Sequence, residues 1–201
     1  MAIIELTTAT RVKTALAIDP TDTAQDTWIA AAIQSVSQRL ELHMDRPVEL
    51  VERTEEYDVH DGRQATVFLR AYPITSVASI KNDQRWDWAS TVALTADEDY
   101  HVDSANGQVH LNFQPAAGAK ALQVVYTGGL AANTADLITN YPLIAQAADL
   151  QIAAMFRRRS APQGAAVAGK QGGSITHEAP LKLIPDVREA LASLQRLRFG
   201  I

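Results

Sequence analysis

Cysteine is absent from this 201-residue chain, which removes disulfides, thiolate nucleophiles and cysteine-ligated zinc together. That suits synthesis in a reducing cytosol. No stretch approaches the ~20 apolar residues needed to span a bilayer. The opening residues, Met1-Ala2-Ile3-Ile4-Glu5-Leu6, show no cationic region ahead of a long apolar one, which argues against a secretory signal. Positive charge is also scarce: 18 Lys and Arg stand against 23 Asp and Glu, a formal charge of -5, with a pI near 5.5. Proteins that grip nucleic acid by neutralising phosphates carry basic domains. DNA gripping is therefore disfavoured, whereas a surface that DNA slides past is compatible. No internal repeat is visible. What is present is ordinary for a globular protein, 47% hydrophobic and 20% charged, enough for one sizeable core with a small elaboration.

Periodicity sorts the chain into an α+β pattern. Thr7 or Thr8 can cap a first helix, expected over 7–18, with Val12, Ala15 and Leu16 on one face and Asp19-Pro20 ending it. Asp22 with Gln25 three residues on resembles a capping box for a second helix, expected over 22–45. Ile29, Ala32, Ile33, Val36 and Leu40 give that helix one buried face, and Pro47 pushes Arg46 out of helical geometry to end it. The region 48–128 is β-rich. Val48 to Val59 and Ala65 to Arg70 read as a hairpin turning at Asp61-Gly62, without a clean register, and Ile74 to Ile80 as a further strand. Asn82 to Asp97, carrying Trp86 and Trp88, reads as a long loop in which the two rings share one side of an extended segment. A second hairpin turning at Asn106-Gly107 would set Ser104 opposite Val109, Val102 opposite Leu111 and Tyr100 opposite Phe113. After Thr127-Gly128-Gly129 and a polar spacer, Pro142 opens a broadly apolar helix over 142–159 that closes on Arg157-Arg158-Arg159. Residues 161–183 are Gly-, Ala- and Gln-rich and aperiodic, which predicts a flexible linker. A C-terminal helix or tail follows over 184–201.

Chemistry-bearing patterns are few. The wet face of the second hairpin gathers His101, Asp103, His110 and Asn112, with Asp103 and His110 as expected cross-strand neighbours. Two histidines and a carboxylate there could ligate a metal, although polar alternation along strands produces such clusters freely. Asp97-Glu98-Asp99 lacks the glycine and ordered oxygens of a calcium loop, and His43 reads as a packed or capping histidine. Gly128-Gly129 lacks the third glycine and the immediate helix of a dinucleotide fingerprint. Gly169-Lys170 lacks phosphate-loop spacing, and Ser174 has no Gly-x-Ser-x-Gly context. No catalytic residue, metal site or cofactor is expected.

The order of the pieces is more telling than any one of them. A long helix ends in Arg46-Pro47; a strand carries Pro73-Ile74-x-x-Val77-x-x-Ile80; a strand ends Tyr126-Thr127-Gly128-Gly129; and a Pro142-initiated helix ends in arginines. Over roughly residues 5–160 this resembles the head–tail connector, or adaptor, proteins of tailed bacteriophages. The resemblance implies a helical bundle of about four helices with an inserted antiparallel β region and a mobile C-terminal segment. It implies a structural virion protein, made in the host cytoplasm, that forms a head-to-tail ring of about twelve copies in the neck. Such a ring sits beneath the portal, receives a stopper or tail-completion protein, lets DNA through its lumen without sequence-specific binding, helps retain that DNA, and meets no membrane. The apolar helix offers Ile144, Ala148, Ile152, Met155 and Arg157 as ring-interface candidates. The C-terminal segment offers Val187, Leu191, Leu194, Arg196, Arg198 and Phe199 as portal contacts. The alternatives are another neck component, such as a stopper or tail-completion protein, and a metal- or sugar-binding enzyme accessory.

Overall fold

The computed structural model describes residues 4–60, 65–160 and 182–195. The chain divides into two compact units, a helical one (1–44 and 134–201) interrupted by a β-rich one (45–133). The fold is thus α+β, as the periodicity predicts.

The helical unit contains α1 (Ala9–Ala15), α2 (Asp26–Met44), α3 (Thr134–Asn140), α4 (Pro142–Ser160) and α5 (Pro185–Ala192). Thr8 caps α1, its side chain accepting from the Arg11 amide at 3.4 Å. Helix α2 begins four residues later than expected. Asp22 accepts from the Ala24 amide in a turn of its own, and the buried Lys13 ammonium gathers the connection. Its Nζ reaches the carbonyls of Pro20 (3.1 Å) and Asp22 (2.8 Å) and the Asp26 carboxylate at 2.6 Å. A buried ammonium is tolerated only when its protons are so occupied.

Helix α4 is the hub, packing against α1, α2, α3 and α5. Ile144, Ala145, Ala147, Ala148, Ile152 and Ala153 are buried, and the alanines let neighbouring helices approach closely. Two buried polar residues on α4 find specific partners. Asp149 accepts from Thr7 Oγ1 and from Arg11 Nε (3.2 Å) and Nη2 (2.8 Å), fixing α1. Gln151, fully buried, accepts from the Ile184 amide at 2.9 Å and donates to the Lys182 carbonyl at 3.3 Å, holding the entry to α5. Helix α3, within the expected polar spacer, buries only Leu137, too little apolar signal to reveal a helix.

The β unit holds β1 (Val51–Val59), β2 (Thr66–Phe68), β3 (Ile74–Asn82), β4 (Tyr100–Asp103), β5 (Gln108–Leu111) and β6 (Gly118–Gly128). They form two antiparallel three-stranded sheets, ordered β1-β6-β3 and β2-β5-β4. The expected β1–β2 hairpin is overturned, since β1 pairs with β6 while β2 joins the other sheet. Asp61-Gly62, its supposed turn, lies outside the described residues. In β6, Leu122, Val124 and Tyr126 alternate inward and share one core with Ile80, Val109 and Leu111. Burial pushes the Tyr126 phenol well above its ordinary pKa, and the neutral hydroxyl accepts from the Ala71 amide at 3.0 Å.

Gly128-Gly129 closes β6 where only glycine fits. A Cβ on Gly128 would collide with the Ala71 carbonyl oxygen. One on Gly129, whose φ is +144°, would collide with that of Glu49. The β4–β5 hairpin keeps its expected faces but not its expected register. Tyr100 lies opposite Leu111, His101 opposite His110, Val102 opposite Val109 and Asp103 opposite Gln108. A four-residue connection replaces the two-residue turn because Asp103 accepts from both the amide and the side-chain nitrogen of Asn106.

Candidate assembly surfaces

The polar face of the β4–β5 hairpin does not assemble a metal site. His101 faces Asp97 at 3.3 Å, His110 Nδ1 lies 3.1 Å from Thr66 Oγ1, and Asn112 donates to the Glu98 carbonyl. The two Asn106 bonds hold the Asp103 carboxyl below its usual range. Asp103 and His110 are not direct partners, because the register differs from the expected one by two residues. Among the described residues no group of three or more His, Asp or Glu is placed to share a metal ion. A shallow hollow lined by Asp58, Val59, His60 and residues 117–119 contains no nucleophile–base pair. The half-buried His43 sits 3.0 Å from the Gln195 amide nitrogen, a helix-end contact.

The residues expected to meet neighbours separate into two groups. Ile144, Ala148 and Ile152 are fully buried by the chain's own helices, so no neighbour can reach them. Met155 is half-buried and Arg157 exposed. The open side of α4 runs instead through Leu143 (43% exposed), Gln146, Leu150 (45%) and Arg157. Residues 143, 150 and 157 are two turns apart, so they make one narrow stripe. The exposed Arg159 lies along the surface, 3.1 Å from Gln25 Oε1 and over the Trp28 ring, which meets Phe156 edge-on. At the C-terminus, Val187 and Leu191 are fully buried and Leu194 is half-buried. The stripe, expected to be covered either by its own subunit or by a partner, packs against α4 beside the Gln151 clasp. Arg196, Arg198 and Phe199 lie outside the described residues, as does most of the expected linker.

Trp86 and Trp88 do not lie on an extended segment. The loop turns around Asp83, which accepts from the amides of Arg85 (2.8 Å) and Asp87 (3.2 Å) and from Thr91 Oγ1 (2.7 Å). These bonds hold its carboxyl below the ordinary range. Trp86 has φ +60° and is 56% exposed, while Trp88 is half-buried.

With no reactive centre assembled among the described residues, the recognisable content of the chain is its architecture. The pattern that defines head completion proteins matches residues 5–157, running through both units. The chain belongs to the head completion protein family. The sequence matches no protein of curated function. In fold, this head completion protein is similar to a chain from the neck of an empty gene transfer agent particle computed with C6 symmetry. The TM-score is 0.61 at 13% identity, covering 100% of this chain and 95% of that one. It is similar also to a chain of the native gene transfer agent virion, at 0.60 and 12% over 100% and 95%. A third similar chain comes from the neck of the native particle computed with C12 symmetry, at 0.54 and 15% over 99% and 98%. Membership in the head completion family makes the chain a structural virion protein. The metal- or sugar-binding accessory reading is set aside.

Proposed function

We propose that this head completion protein is the adaptor of a virion neck, a ring of about twelve copies between the portal and a stopper or tail-completion protein. DNA passes through its lumen without sequence-specific contact, and the closed neck helps retain it. The observation that carries this reading is the family match across both units. Fold likeness along the whole chain to proteins of symmetric particle necks supports it.

Ring contacts between neighbours fall to the exposed stripe of α4, with Leu143, Leu150, Arg157 and the margin of Met155. The deeper Ile144, Ala148 and Ile152 hold the subunit together. The portal contact falls to Leu194 and the residues C-terminal to α5 that include Arg196, Arg198 and Phe199, arginine and phenylalanine being types enriched at interfaces. A formal charge of -5 suits a lumen wall that DNA slides along rather than grips. Mass measurement in solution with negative-stain imaging, with and without purified portal protein, tests the reading. Rings, free or portal-nucleated, are expected. A protein that stays monomeric and ignores the portal would refute it.

A further inference from the structure

The loop bearing Trp86 is built more firmly than an incidental surface turn. Besides the bonds converging on Asp83, three side chains stitch it to the start of β6 and the segment just before it. Asn82 Nδ2 donates to the carbonyls of Ala116 and Ala121, Gln84 Nε2 to Ala117, and Trp86 Nε1 to Ala119 at 2.9 Å. Asn82 Oδ1 in return accepts from the Ala116 amide at 2.7 Å. The indole is thus oriented by its own N–H and by a left-handed backbone, with its ring left in solvent. Val92 on the same loop is 84% exposed, and Ala116 and Ala117 before β6 are exposed as well. A large aromatic held in one orientation loses little entropy on contact, which is the property of an interface anchor.

Charge narrows what the anchor takes. The β unit carries 13 carboxylates against 7 lysines and arginines, a formal -6, while the rest of the chain carries 10 against 11. Of the unit's cations, Arg46 is stacked 3.9 Å over the Tyr72 ring, Lys81 donates to the Trp88 carbonyl and Lys120 pairs with Glu56. On the loop itself the exposed Arg85 stands against Asp83 and Asp87, and with the unit's surplus of carboxylates behind it the indole face favours a guanidinium or ammonium and repels a polyanion. A second copy of the β unit would bring the same negative excess.

We propose that the Trp86 projection docks a basic, arginine- or lysine-bearing surface of a neighbouring neck protein. DNA and another copy of this chain are not its occupants. The proposal rests on the neck reading. The test uses the full chain, immobilised, with purified portal and purified stopper protein passed over it separately at low and high salt. One of the two is expected to bind, more weakly as salt rises. Trp86→Ala should weaken that binding about thirtyfold, as for an interface hot spot, while Trp86→Phe keeps most of it. Ring formation and thermal stability of both variants should match wild type. Wild-type and Trp86→Ala proteins binding alike, or binding indifferent to salt, would overturn the proposal and leave the neck reading intact. Loss of rings in Trp86→Ala, or Trp86-dependent capture of a DNA duplex, would overturn it by naming the excluded occupant. Wild type binding neither partner would sink both readings.

Discussion

Truncating Leu191 to Ala removes the centre of the α5 contact with α4. Leu191 and Val187 are fully buried, Leu183 nearly so, and α5 has 8 residues, below the ~12–15 at which an isolated helix becomes even marginal in water. Docking alone keeps it folded. Each buried aliphatic contributes about 1.5–3 kcal/mol and each Gln151 bond about 0.5–1.5 kcal/mol. Ordering the backbone costs about 1–2 kcal/mol per residue, so the margin is thin. Leu→Ala in a core loses about 2–5 kcal/mol, enough to release the helix. Hydrogen exchange read by mass spectrometry should then show residues 182–195 exchanging at nearly unprotected rates. Amides of α2 and α4 should stay slow, and the urea midpoint reported by Trp28 beside Phe156 should move little. If α5 keeps wild-type protection in Leu191→Ala, the residue is not buried in solution, and the reasoning that assigns α5 to its own subunit fails.

Gly129→Ala forces a side chain into a +144° backbone and against the Glu49 carbonyl. Strain and overpacking together should cost about 2–6 kcal/mol, and an unchanged melting temperature would show that the crossing is looser than described. Leu150→Asp should abolish rings in negative stain while leaving the subunit's melting temperature near wild type, whereas Ile152→Asp should unfold it. Rings formed by Leu150→Asp would move the interface off α4. Asp83 has a folded pKa below the ordinary carboxylate value, so its contribution is present above the unfolded pKa and lost as pH falls through the lower folded value. Tryptophan fluorescence should report the 83–91 loop opening in that acid window, and an identical transition in Asp83→Asn would discount the carboxylate.

How much of this was legible beforehand depends on how local each determinant is. Helices α2 and α4 announce themselves because Ile29 to Leu40 and Pro142 to Met155 carry their periodicity within a few turns. The partner of β1 could not be read locally, since Val51–Val59 pairs with a strand some 60 residues on, and the nearby Asp61-Gly62 offered a tempting alternative. In the β4–β5 hairpin the faces were legible from two-residue alternation. The register was not, because Asp103 captures Asn106 and lengthens the turn. The docking of α5 had one overlooked signal: Gln151 in an otherwise apolar row needs buried partners, and the chain ahead of α5 supplies them. The open stripe of α4 was hidden for a different reason, since Leu143 and Leu150 look no different in composition from the leucines that are buried.

Both ends of the β unit are stitched together. Leu50 donates to the Ala131 carbonyl at 2.8 Å, Leu130 to that of Val48 at 2.8 Å, and Glu49 bridges Ala131 in parallel. To the helical unit, whose halves precede and follow it, this about 90-residue excursion would cost roughly 4 kcal/mol in loop-closure entropy if it were slack. Once folded it acts as a short staple between α2 and α3. Synthesis then has a natural sequence: the β unit can close before α3 and α4 emerge, and its closure delivers the later helices to the earlier ones. The β unit is one uninterrupted stretch of sequence between α2 and α3, so it can be exchanged as a single module. Diversification of what such a neck component binds can proceed in the inserted module, Trp86 loop included, with the hub around α4 left unchanged.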